Sequence, residues 1–334
     1  MKPVYGQKLY YSDERNDDFT DFKAELIRPV DKTYRYESRN PVSRFFAFFL
    51  YYFIAVPVLW IICKLFYGVK VEGKRKLRKL KGGCVIYSNH VLALDCAFSI
   101  VMTAAPRRCY IVCNPDAVHM PVIRHIVRML GALPVPDDVA AFKNFSRTID
   151  KKLKKGRTLV VMPEAHIWPY YTGIRDFPAT SFTYAAKNDV PALPVCVTFR
   201  KPTGPFKKFM RPRVTVKVGD PVYAEKGMPL KRAAEALRDK TLAFMKSAAT
   251  GNEVAFYDYV KTVGKVETRT QIAQLKREAA LRRKAKRHLA RFGCETFGKS
   301  AAEQTSVPCR PVADNTFFQD EEDLVYQYEY IKKD

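Results

Sequence analysis

An α/β domain built on a mixed sheet with helices on its faces is what this sequence predicts, on three observations. Short apolar runs that read as buried strands recur through the middle of the chain, helical patterns fall between them, and one such run passes directly through a turn into a helix between Cys84 and Ala105. A 334-residue chain then holds one such domain with appendages, since domains typically take about 100 to 200 residues. The boundaries fall at a polar N-terminal arm over 1–40, a membrane-associated apolar segment over 41–68, the α/β domain over 69–249 and a basic helical tail with an acidic end over 250–334.

The arm is polar, charged and rich in tyrosine, and is expected to be partly ordered at best. Phe45 to Tyr67 follows, a 23-residue stretch whose single charge is Lys64. It is long enough for a spanning helix, which needs about 20 apolar residues. It starts too deep in the chain, and lacks the small-residue site, for a cleaved signal peptide. Pro57 in its middle predicts a kink, and Lys64 can snorkel to headgroups, so a re-entrant or monotopic arrangement competes with a full crossing. Arg35, Arg39 and Arg44 flank it on one side; Lys70, Lys74, Arg75, Lys76, Arg78, Lys79 and Lys81 flank it on the other, against Glu72. The heavier basic flank places the α/β domain on the cytoplasmic face, while positive charge on both sides favours a helix dipping into one leaflet.

Within the domain, Val69, Val71 and Gly73 precede the basic run Lys74 to Lys81, Cys84 to Tyr87 after Gly82-Gly83 reads as a buried strand, and Val91 to Ala105 as the helix after it. Thr158 to Met162 reads as a further strand, and apolar segments recur at Gly131 to Val135, Val190 to Val195, and Val214, Val216 and Val218 before Gly219. A helix rich in Ala and Leu is expected over Leu230 to Ala249, started by Pro229. Beyond Gly251 a basic helix is expected from about Thr268 to Phe292, its apolar stripe of Ile272, Leu275, Ala279 and Leu289 too broken to assign a partner, before the acidic, aromatic end around Asp320 to Tyr330. The eight cysteines show no CxxC pair and read as small buried hydrophobes in a reducing compartment.

Chemistry concentrates where the Cys84 to Tyr87 strand ends. His90 closes Cys84-Val85-Ile86-Tyr87-Ser88-Asn89-His90, and Asp95 follows five positions later. An imidazole lying off the helix is within reach of that carboxylate, which would hold Nδ1 and leave Nε2 to accept a proton from a substrate hydroxyl. Ser88 lacks the GxSxG elbow of a nucleophilic serine.

The succession of Asn89-His90 and Asp95, Gly131 to Val135, Val160-Val161-Met162-Pro163-Glu164 and the later valine-rich strands resembles the glycerolipid acyltransferases, typified by 1-acyl-glycerol-3-phosphate acyltransferases, over about Val69 to Val222. The HxxxxD element with a Pro-Glu element about seventy residues on is the specific part. The resemblance implies transfer of a fatty acyl chain from a thioester, acyl-CoA or acyl carrier protein, to a hydroxyl of a lysophospholipid-type acceptor. His90 and Asp95 would be catalytic, with no cofactor beyond the co-substrate. Asn89 lies in the same element and is set beside them as a substrate contact.

Two departures concern phosphate binding. Asp137 stands at an expected arginine, and Glu164-Ala165-His166-Ile167 replaces an expected Glu-Gly-Thr-Arg. Arginine binds phosphate through a bidentate fork that neither aspartate nor isoleucine reproduces. Either Arg175, Arg124 or Arg128 serves instead, or the acceptor is not a simple phosphomonoester; the same two departures also motivate an alternative, a non-catalytic lipid-docked binding protein on an acyltransferase scaffold. Glu164 at a strand end reads as a substrate-site carboxylate, His166 as a headgroup contact, and Trp168, Tyr170 and Tyr171 as either pocket wall or packing. His90, Asp95, Glu164 and His166 also compose a possible metal set, which the resemblance disfavours. The formal charge of +24 points to anionic partners, among them acidic membrane lipids and the phosphates of coenzyme A. The basic run Arg282-Arg283-Lys284-Ala285-Lys286-Arg287 lacks interleaved aromatics, so no specific nucleic-acid readout is expected.

Overall fold

The computed structural model describes residues 6–20, 30–104, 106–118, 124–136, 138–203 and 211–292. Two compact units divide the chain, Met1–Thr268 and Arg269–Asp334.

In the first unit the order is β1 (Gln7–Tyr11), α1 (Pro41–Phe49), a π-helical turn (Leu50–Ala55), α2 (Val56–Leu65), β2 (Lys70–Glu72), α3 (Lys74–Arg78), β3 (Cys84–Ser88), α4 (Asp95–Ala97) continued by a π-helical segment (Phe98–Ala104), β4 (Cys109–Cys113), α5 (Arg124–Leu130), β5 (Ala132–Pro134), α6 (Val139–Lys154), β6 (Thr158–Val161), α7 (Thr183–Lys187), β7 (Ala192–Arg200), β8 (Arg213–Val218), α8 (Leu230–Ala249) and β9 (Tyr257–Lys261). The second unit contains α9 (Gln271–Phe292). Cys294, Cys309 and the acidic end lie outside the described residues, as does Asp137.

Seven strands form one mixed sheet in the order β2-β8-β7-β3-β6-β4-β5. From β7 to β5 the strands run parallel, and β8 turns back antiparallel on β7 with β2 beside it. The expected mixed sheet flanked by helices is therefore the architecture observed. β3 lies between β6 and β7 and is buried along its whole length, as a parallel strand covered on both faces must be. Its side chains alternate. Cys84 and Ile86 join the core beneath the long N-terminal helix and the 98–104 segment, whereas Val85 and Tyr87 join the core under α6 and α8. Gly83 lets β3 approach α6 closely, since a Cβ there would sit 2.4 Å from the Leu153 carbonyl oxygen.

The apolar stretch forms a continuous helix from Pro41 to Leu65, 25 residues, long and apolar enough by length and composition to cross a membrane. Pro57 has no N–H to close the preceding turn, and the strain appears just before it as the π-helical turn, where Val56 N–H reaches Tyr51 O. One face packs on the domain through Tyr51, Cys63 and the partly buried Tyr52, Val56 and Leu59. The other exposes Phe45, Phe46, Phe49, Phe53 and Trp60, with Phe45 66% exposed. Lys64 does not extend away from the domain; its ammonium donates to Val69 O at 3.0 Å.

The arm differs from expectation. β1 pairs in parallel with β9, in the register Gln7↔Tyr257 to Tyr11↔Lys261. Tyr36 is partly buried on the second core and donates to Pro134 O at 3.2 Å.

Candidate active site

The loop from Asn89 to Leu94 leaves the end of β3, and the expected helix over Val91 to Ala105 begins four residues late. Asp95 is the cause. Its Oδ2 accepts from Val91 N–H at 2.8 Å and Leu92 N–H at 3.2 Å, so the carboxylate closes a turn that the backbone would otherwise leave open. The same oxygen lies 2.8 Å from His90 Nδ1. Asp95 is fully buried while the His90 side chain keeps 18% exposure. A carboxylate accepts only, so Nδ1 carries the proton and Nε2 is the nitrogen left for a substrate. Burial, the largest single influence, opposes charge on the imidazole. Asp95, by charge and hydrogen bond, and Glu164, by charge, outweigh it against the opposing Arg175, and the His90 pKa is raised.

Glu164 lies just beyond β6 and anchors the site from beneath. Its Oε2 accepts from His90 N–H at 3.1 Å, and its Oε1 from Arg175 N–H at 3.1 Å. Arg175 Nη2 returns to Glu164 Oε2 at 3.1 Å and also donates to His166 O. Both residues are buried: Glu164 holds the His90 N–H, and Arg175 pairs with Glu164 through Nη2 while its Nε and Nη1 have no hydrogen-bond partner among the described residues. Trp168 N–H to His90 O at 3.1 Å and Tyr170 N–H to Val91 O at 2.9 Å complete the splint.

Other sequence candidates take different tasks. Asn89 is buried and directs its amide at β7, accepting from Val197 N–H at 2.7 Å and donating to Val197 O at 3.0 Å, so it clips the two strands together. Arg128 is exposed near the arm, donating to Arg35 O at 2.9 Å with its guanidinium over Tyr34, at the opposite end of the sheet from His90. The Arg124 side chain lies outside the described residues. Ser88 is buried with its hydroxyl turned to Asn89 O. Ile167 is buried core.

Trp168 is fully buried, stacked on Tyr259 at 5.1 Å between ring centres, edge-on to Tyr11 and Phe19, its indole N–H on Asp17 O at 2.8 Å. The aromatics are therefore packing that the arm and β9 close over the 164–171 loop. His166 stays part-exposed with Nδ1 3.6 Å from Asp18 Oδ2. Burial raises the Asp18 pKa, but hydrogen bonds from His166 and Thr20 prevail and the net shift is downward. Asp18 is a site neighbour that sequence reading missed, and no local signal could have found it across so long a separation. Among the described residues no three His, Cys, Asp or Glu converge as metal ligands.

The arrangement suits proton abstraction from a hydroxyl at the C-terminal ends of parallel strands, where α/β sheets place their ligands. A family model described as acyltransferase matches residues 68–198. The crystal structure of the 1-acyl-sn-glycerophosphate (LPA) acyltransferase PlsC from Thermotoga maritima is similar at 20% identity and a TM-score of 0.45, over 63% of this chain and 92% of that one. No curated protein matches. The matched residues 68–198 include the His90 and Asp95 element that carries the resemblance to the glycerolipid acyltransferases.

Proposed function

We propose that this protein moves a fatty acyl chain from a thioester to a hydroxyl of a lysophospholipid-type acceptor at a membrane surface, with His90 as general base. The observation that carries this reading is the 2.8 Å contact between a part-exposed imidazole and a buried carboxylate inside the segment the family model matches. Nε2 takes the acceptor proton as the hydroxyl oxygen forms its bond to the acyl carbon. The carbon–sulfur bond then breaks, and the imidazolium returns the proton to the departing thiolate. Asp95 holds the ring and offsets the imidazolium charge, so no acyl-enzyme is required. Coenzyme A or a carrier protein delivers the chain. The long helix docks the domain on the bilayer, on the cytoplasmic face by its basic flank.

A second reading of the acceptor has its own support. Ile167 is buried and Arg175 is only 1% exposed and paired with Glu164, so this loop presents no exposed arginine to a phosphomonoester. An acceptor without one, such as a glycolipid or free alcohol, fits as well. Thiol release from a fatty acyl-CoA by the purified protein, across lysophosphatidic acid, other lysolipids, glycolipids and alcohols, decides between them. Acceptor-dependent release is expected, and its absence with every acceptor would remove the enzymatic reading.

A further inference from the structure

A cavity of about 570 Å³ opens at the other end of the sheet from His90. Arg108 and Arg157, which line it, precede β4 and β6, whereas His90 and Glu164 follow β3 and β6, so the whole length of a strand separates the two places. The first half of the long helix forms one wall, through Arg44, Ala47, Phe48 and Tyr52, and the arm from Arg35 to Arg39 forms another. Eight Lys or Arg side chains face it against one carboxylate, Glu37. That carboxylate is already shared between Lys151 and Lys152. Among the described residues none of Arg39, Arg44, Lys155 and Arg157 has an ion pair.

Arg108 is the built part. Its guanidinium lies 3.8 Å over the Tyr51 ring, and Nη2 donates to Met129 O at 2.6 Å. Its Nη1 is buried with no hydrogen-bond partner among the described residues. A buried cationic donor left unspent is unfavourable unless an anion meets it.

We infer that this cavity binds the phosphate headgroup of an anionic phospholipid in the leaflet that the long helix enters. The inference rests on that helix entering a leaflet and not on acyl transfer. The wall decides the source of the phosphate. Phe48 lines the cavity while Phe45, Phe49 and Phe53 of the same helix are exposed, so a headgroup held by the bases leaves its acyl chains beside those rings. Arginines supply the paired donors that phosphate oxygens accept. The helix thus joins two sites, a lipid anchor at its start and the acyl-transfer loop toward its end.

The test is co-sedimentation of the full chain with phosphatidylcholine vesicles, with and without phosphatidic acid. Arg39→Glu/Arg157→Glu is compared with Lys231→Glu/Arg232→Glu, which makes the same charge change at the exposed start of α8. Phosphatidic acid is expected to strengthen binding of the parent chain, and the cavity variant to lose roughly tenfold of that gain while the α8 variant keeps most of it. An equal fall in both variants would mean diffuse charge attraction and would overturn the site. Inorganic phosphate raising the melting temperature of the parent chain but not of the cavity variant, without any vesicle preference, would assign a soluble anion instead. Weakened coenzyme A binding by a cavity variant that keeps its vesicle preference would assign the donor's phosphates, and also overturn the lipid reading. Failure of the parent chain to bind either vesicle would overturn this inference together with membrane docking, and leave the thiol-release result standing.

Discussion

His90 is held at three points: Nδ1 on Asp95, N–H on Glu164 and the carbonyl oxygen on Trp168. Its raised pKa has a kinetic consequence, because a base must be neutral to act. Turnover at limiting substrate should climb with pH through an apparent pKa above the ordinary value of about 6.5. Asp95→Asn removes the strongest upward influence and leaves burial to dominate, so the acid limb of the pH–rate profile should move down as the maximal rate falls. A limb that stays in place would mean another group is titrating. Ala165 sits beside this anchor with φ 64°, a left-handed conformation that disfavours a side chain by about 1–2 kcal/mol. Ala165→Gly relieves it, offset in part by the greater freedom of glycine in the unfolded chain, and thermal unfolding should show a gain of about 1 kcal/mol. At this scale the His90 and Asp95 pair was legible because it is local, and a strand end followed by a carboxylate leaves few geometries. The tasks of Asn89, Glu164 and Arg175 were not, because each depends on a partner from another element.

Among the elements, α8 occupies the Leu230 to Ala249 span that its Pro start and Ala-Leu content mark in the sequence. The segment after His90 shows the limit of such reading. Val91 to Leu94 has helical composition, yet the Asp95 side chain captures the Val91 and Leu92 N–H groups and closes a non-helical turn there instead. Pro57 was legible as a disturbance, but not as a widened turn ahead of it. β3 meets α6 at Gly83, where an added methyl would press on the Leu153 carbonyl, a backbone group that cannot swing aside. Gly83→Ala should therefore destabilise the first unit by about 1–3 kcal/mol, read as a lower denaturant midpoint with unchanged slope. A neutral result would show that Gly83 does not approach the Leu153 carbonyl as closely as described.

For the whole molecule, the long helix and the arm matter most. A helix lying along the domain through Tyr51, Val56, Leu59 and Cys63 while exposing phenylalanines on its other side fits immersion in one leaflet better than a crossing. Phe45→Ser, Phe49→Ser and Phe53→Ser combined should lower partition into phosphatidylcholine vesicles by at least roughly tenfold per ring, since burying an aromatic side chain is worth about 1.5–3 kcal/mol. Unchanged partition would place the docking face elsewhere. The apolar stretch and the alternating middle of the chain were readable from composition and periodicity. The pairing of β1 with β9, and with it the cover over Trp168, was not, because a parallel pairing between the two ends of a unit leaves no local trace.

Proton abstraction by His90 from an acceptor hydroxyl is open to measurement as acceptor-dependent thiol release from a fatty acyl-CoA, compared between the parent chain and His90→Ala at matched vesicle binding and melting temperature. A loss of about 10²–10⁴ in rate is expected. Release at the parental rate from a folded, membrane-bound His90→Ala protein would contradict it.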